Sequence, residues 1–157
     1  MCWTSGAGRA FSPFALPPHV RSITAVDSSQ CMLDVLDAKV RAQGLANVRT
    51  RLVDLDKGDE ISGQFDLVVS SMTFHHIQNI GLVLDRMAGV IRPAGKIAVA
   101  DLDSEGGTFH DSNEGVFHFG FDRSLMKKYF EAAGSVLQGS ITRPLRSCKN
   151  PARPARY

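Results

Sequence analysis

Several things are scarce in this sequence. Its three cysteines, Cys2, Cys31 and Cys148, are scattered, without the paired spacing of a zinc site or a disulfide frame, so a reduced, cytoplasmic setting is expected. No apolar run approaches the roughly 18 residues of a membrane span. Nor does a basic stretch lead into an apolar one at the start, so neither a membrane anchor nor a secretion signal is predicted. Net charge is only +2, too small to imply nucleic acid or an acidic membrane surface as a partner. Disorder is also excluded as a general state, because 43% of residues are hydrophobic. Internal repeats and low-complexity tracts are absent.

What the chain does have is alternation. Its 157 residues suffice for one domain with a real core. A helix over 10–20 is compromised by Pro13 and ended by Pro17 and Pro18. Residues 22–26 are a short apolar run ending at Asp27, read as a buried strand. Asp27, Ser28 and Ser29 supply caps for a helix over 30–43, with Met32, Leu33, Leu36 and Val40 as its stripe and Gly44 as its stop. A strand over 47–53 ends at Asp54. Residues 65–71, FDLVVSS, are the most continuous apolar run and predict a strand buried on both faces. A helix over 80–91 closes before Pro93 and Gly95, another buried strand covers 96–102, and Asp122 caps a helix to about Ala133. This order predicts an α/β domain over 1–139: a Rossmann-like, doubly wound, mostly parallel sheet with helices on both faces. The basic, proline-containing tail over 140–157 is expected to be loosely ordered.

Ligands of such sheets sit outside the carboxyl ends of the strands, and four clusters fall there: Gly6-Ala7-Gly8, Asp27-Ser28, Asp54-Leu55, and Ser70 through His76. Gly6 stands 21 positions before Asp27, the separation between a glycine turn and a ribose-binding acid. An acid at that place serves a nicotinamide cofactor as well as other nucleosides, so spacing alone leaves the cofactor open.

Four segments in order, AVDSSQCML, VDLD, FDLVVSSMTFHHI and VIRPAGKIAVADLD, resemble the class I S-adenosylmethionine-dependent methyltransferases of the small methyltransferase domain 11 or 12 type. The resemblance spans 20–134. It implies S-adenosylmethionine as cofactor and a small-molecule methyl acceptor. It implies that Asp27 holds the ribose hydroxyls with Ser28 beside it, and that Met32 packs near the adenine. Asp54 would bond the adenine amino group, the Leu55 backbone would lie against the ring, and Ser70 and Ser71 would line the methionine end. Gly6 and Gly8 stand where the family has its glycine-rich loop, but Thr4 replaces the acid of that motif and Ala10 its third glycine. Most of the first strand and the closing antiparallel strands are therefore expected to be missing, as in a truncated chain.

Methyl transfer asks the protein chiefly to align the acceptor and exclude water. A base is optional, and His75 and His76, directly after the fourth strand, are the candidates, with His110 behind them. Asp101, Asp103, Glu105 and His110 could be drawn as an oxygen-rich cation site, but their spacing matches no dedicated loop and no metal is expected. Each residue also has a structural reading: Asp27 as a helix cap, Asp54 as a loop acid, the histidines and Met32 as packing. Phe117, Phe119 and Phe121 either edge a pocket or pack on the sheet. Two other functions compete: a truncated, inactive homologue that binds weakly or needs a partner, and a nicotinamide-dependent oxidoreductase. Against the latter, the Tyr-x-x-x-Lys pair of short-chain reductases is absent.

Overall fold

The computed structural model describes residues 2–5, 17–110 and 112–134. Gly6 and Gly8, most of the expected first helix and the 140–157 tail lie outside the described residues. Five parallel strands form one sheet: β1 (Cys2–Ser5), β2 (Ile23–Asp27), β3 (Val48–Leu52), β4 (Phe65–Ser71) and β5 (Ile91–Ala100), in the order β3-β2-β1-β4-β5. Among the described residues three α-helices accompany them: α1 (Gln30–Ala42), α2 (Ile80–Val90) and α3 (Arg123–Ala132).

The first strand is as short as its polar sequence implies, four residues, yet it occupies the centre of the sheet. Ser5 is level with Val26 on one side and Ser70 on the other. Backbone pairing needs no apolar side chains, so Thr4 and Ser5 can complete a ladder that periodicity would not assign to them. β1 pairs with both β2 and β4, so the sheet is continuous between them.

Each described helix starts where a side chain accepts an orphan amide. Ser29 Oγ accepts from Met32 N at 3.4 Å, Asn79 Oδ1 from Leu82 N at 3.1 Å, and Asp122 Oδ1 from Leu125 N at 3.0 Å. In α1 the buried stripe is Leu33, Leu36 and Val40. Met32 lies off that stripe and is 36% exposed, so it is not the core residue its spacing suggests. In α2, Ile80, Val83, Leu84 and Met87 share one buried face. The core is divided by the sheet. Ile23, Ala25 and Val69 pack with Leu36 and Val40 of α1. Val26 and Val68 pack on the other side with α2 and with Phe130 of α3. Each of the larger side chains, valine and above, contributes about 1.5–3 kcal/mol by leaving water.

The end of α2 and β5 differ from expectation. The helix stops at Val90 and the strand begins at Ile91, pairing with Phe65 before a register shift that resumes at Leu67 and Lys96. Ala94 is left-handed at φ 65°, and a Cβ on Gly95 would lie 2.7 Å from Ile91 Cγ1 and 2.9 Å from the Arg92 carbonyl oxygen. That crowding explains glycine here. Beyond the shift, Ile97 and Val99 pack inward while Lys96, Ala98 and Ala100 are exposed. The strand is therefore one-sided, not buried on both faces, because it lies at the sheet edge and no helix among the described residues covers its outer side. None of the described helices is long and apolar enough to cross a membrane.

Candidate active site at the carboxyl ends of the strands

The chain reverses its winding between β1 and β4, and in such sheets the crevice beyond the strand ends at that point is where ligands are held. Val53 N donates to the Asp27 carbonyl oxygen at 3.0 Å, which brings the Asp27-Ser28 and Asp54-Leu55 loops side by side. Half-buried Asp27 accepts from Ser29 N at 2.9 Å through Oδ1 and so shapes the turn into α1, while Ser29 is the actual cap. Ser28 is exposed. Asp54 accepts from Lys57 N at 3.3 Å and pairs with Lys57 Nζ at 3.0 Å, and the Lys57 contacts hold its carboxyl below the usual carboxylate range. Leu55 is buried, and its carbonyl accepts from Arg86 Nη1 of α2 at 2.7 Å. Across β1, about two strand spacings or ~10 Å from Asp27, Ser70 and Ser71 are buried, and Ser70 Oγ has no hydrogen-bond partner among the described residues. A buried hydroxyl without a partner points to a polar group that completes it.

A second cluster forms where β4 and β5 end. Met72 takes a left-handed backbone at φ 53° directly after β4, which turns the chain so that Thr73 N and Phe74 N both donate to Asp101 Oδ2, at 3.0 and 2.8 Å. Asp101 Oδ1 accepts from Leu102 N at 2.8 Å and lies 2.6 Å from His75 Nδ1. His75 is 1% exposed, so the structure joins a buried imidazole to a buried carboxylate. His76, in the same 3₁₀ turn (Phe74–His76), is exposed, and its Nδ1 donates to the Gly115 carbonyl at 2.7 Å. The loop after β5 is drawn in as well, since Phe117 N and His118 N both donate to the His75 carbonyl and His118 Nε2 donates to the Ile77 carbonyl. That loop carries His110 to a ring-centroid distance of 5.0 Å from His75 and 5.5 Å from His76. Burial, and then the charges of His75 and His76, push His110 below the ordinary histidine value.

The oxygen-rich cation site weighed from the sequence is not assembled. Asp103 is taken by Arg123 at 3.0 and 2.8 Å, Glu105 accepts from Thr108 and Phe109, and Asp101 serves the amides and His75. The three alternating phenylalanines part company: Phe121 is buried, whereas Phe117 and Phe119 are exposed. Asp101 is the residue that the sequence reading placed in the wrong context. It ends a strand as Asp27 does, and that signal would have found it.

The chain has relatives among known proteins. The sequence matches the family described as methyltransferase domain over residues 3–99, more than half of the chain. It is 39% identical over 100 residues to an uncharacterized methyltransferase of Schizosaccharomyces pombe, covering 59% of this chain and 35% of that protein. It is 29% identical over 107 residues to the uncharacterized protein YafE of Escherichia coli, covering 68% of this chain and 52% of that protein. The chain thus spans between a third and about half of the length of these relatives. Its fold resembles that of a SAM-dependent methyltransferase from Aquifex aeolicus, with a TM-score of 0.68 at 22% identity, covering 85% of this chain and 70% of that one.

Proposed function

The chain belongs to the methyltransferase-domain family, and from that premise we propose that it transfers a methyl group from S-adenosylmethionine to a small-molecule acceptor. The observation that carries this reading is the side-by-side placement of the Asp27 and Asp54 loops, with the unpartnered Ser70 hydroxyl one strand beyond β1. These residues fit a nucleoside that continues into an amino acid. Asp27 accepts hydrogen bonds from the ribose diol, and Asp54 accepts from the adenine amino group with the lone pairs that Lys57 leaves free. Ser28 and Met32 form the rim beside them, and the Leu55 backbone, fixed by Arg86, supports the ring. Ser70 and Ser71 serve the methionine end, and in sequence Gly6 and Gly8 occupy the positions of the family's glycine-rich loop.

When bound, the cofactor supplies a methyl group already activated on a sulfonium. The chain's own task is to hold the acceptor in line, keep water out and take up a proton where the acceptor is a hydroxyl or amine. His75 and His76 suit the last task. The oxygens at their Nδ1 atoms can only accept, so in each neutral ring the proton sits on Nδ1 and the lone pair on Nε2. His75 is held by Asp101, and exposed His76 beside it connects to solvent.

Calorimetric titration with S-adenosylhomocysteine tests the reading, together with its effect on the melting temperature. Saturable binding and an upward melting shift are expected, and Asp27→Ala is expected to weaken binding by at least about tenfold through the loss of charge-assisted hydrogen bonds to the diol. Heat release with a nicotinamide dinucleotide in place of S-adenosylhomocysteine would overturn it.

A further inference from the structure

We propose that His75, His76 and His110 form a binding site for a transition-metal ion of the zinc class. One ring nitrogen of each lies within 4.8 Å of one from each of the others. The three come from two separate segments, the turn after β4 and the loop after β5, so local chain geometry alone does not bring them together.

The state of each ring is what a metal requires. His75 Nδ1 is committed to Asp101 at 2.6 Å and His76 Nδ1 to the Gly115 carbonyl at 2.7 Å, which leaves Nε2 of both as unprotonated donors. A carboxylate or carbonyl behind the far nitrogen is the arrangement that orients metal-binding imidazoles and raises their basicity. His110 Nε2 is buried and has no hydrogen-bond partner among the described residues, an unfavourable state that a ligated ion would remove. Asp101, at 5% exposure, supplies a negative charge directly behind the cluster, which offsets the cost of bringing a cation to a buried place.

The donor set also selects the ion. Imidazole nitrogens suit zinc, copper and nickel, whereas magnesium and calcium prefer oxygens, and the nearby carboxylates are engaged elsewhere. A tetrahedral ion with bonds of about 2.0–2.1 Å sets its nitrogens about 3.3 Å apart. Ring nitrogens that all lie within 4.8 Å of one another must therefore close by up to about 1.5 Å to hold the ion. Three protein ligands leave a fourth position for water or for an acceptor oxygen. The site stands independently of the proposed methyl transfer. Because a metal and a proton would use the same Nε2 lone pairs, a loaded chain could not use His75 or His76 as proton acceptors.

The test needs no cofactor. The chain, stripped with a chelator, is titrated with Co²⁺ in place of zinc and followed by its visible absorption and melting temperature. One equivalent is expected to give the intense d–d bands of a tetrahedral or five-coordinate ion, to raise the melting temperature and to be displaced by Zn²⁺. His76→Ala, which alters an exposed side chain, and His110→Ala are each expected to weaken Co²⁺ binding by at least about tenfold. His19→Ala, outside the cluster on the turn before β2, is expected to leave it unchanged. The weak spectrum of hexaaquo cobalt at metal excess, undiminished binding by His76→Ala, or a near-ultraviolet thiolate-to-cobalt band assigning the ion to a cysteine would each overturn the proposal.

Discussion

Replacing Asp101 by asparagine tests the logic of the β4–β5 junction, because the substitution keeps shape and removes one acceptor. The carboxylate takes four hydrogen bonds: Oδ1 from His75 Nδ1 and Leu102 N, Oδ2 from Thr73 N and Phe74 N. An amide has a single acceptor oxygen, so two orientations compete. With the oxygen toward His75, two backbone N–H groups are stranded, at about 1–3 kcal/mol each. With the oxygen toward Thr73 and Phe74, His75 can move its proton to Nε2 and accept from the new amide at Nδ1, which leaves Leu102 N alone unpaired. The second arrangement is the cheaper by one stranded amide, so Asp101→Asn is predicted to lose about 1–3 kcal/mol, a substantial share of a stability of about 5–15 kcal/mol. Urea unfolding should show a lower midpoint at unchanged slope, and imidazole nitrogen NMR should show His75 protonated on Nε2. Under the proposed reaction with a hydroxyl or amine acceptor, that shift removes the accepting lone pair. The turnover number should then fall by about 10²–10⁴-fold while cofactor affinity holds. A variant as stable as the parent, with the proton still on Nδ1, would refute the reasoning.

Three further outcomes follow from particular positions. Gly120 has φ 74°, and a Cβ there would lie 2.0 Å from the Asp103 carbonyl oxygen, so Gly120→Ala should cost about 2–4 kcal/mol from backbone and overlap together. Gly44, at φ 65° with nothing within 4 Å, should cost only the backbone share of about 1 kcal/mol, and equal thermal shifts for the two variants would contradict this account. Ser70→Ala removes a buried hydroxyl that has no partner among the described residues, so urea unfolding should show stability unchanged or higher by up to about 1 kcal/mol, while S-adenosylhomocysteine affinity falls. The Arg123 guanidinium holds Asp103 below its ordinary value of 3.8. A depressed carboxylate stabilises the fold fully above that value and loses its contribution as pH falls below it. Arg123→Met should therefore flatten the dependence of melting temperature on pH below about 4, and an unchanged slope would show the ion pair to be inert.

The sequence by itself determined what depends on near neighbours. Ser29 and Asp122 mark helix starts because a cap reaches only two or three residues along the chain. The run FDLVVSS reads as a central strand because apolar continuity is a local property, and the family resemblance through Asp27 and Asp54 rests on such segments in order. Tertiary structure decided the rest. The four residues of β1 carry no strand signal of their own and gain their place from two partners. Met32 fits the helical period, yet the orientation of α1 on the sheet leaves it 36% exposed. Asp101 meets His75 across 26 positions only because β4 and β5 are neighbours and Met72 turns left-handed between them. His110 joins that pair through a loop that bonds back onto the turn after β4. Strand order and loop closure set these encounters, and neither leaves a periodic trace in the residues that meet.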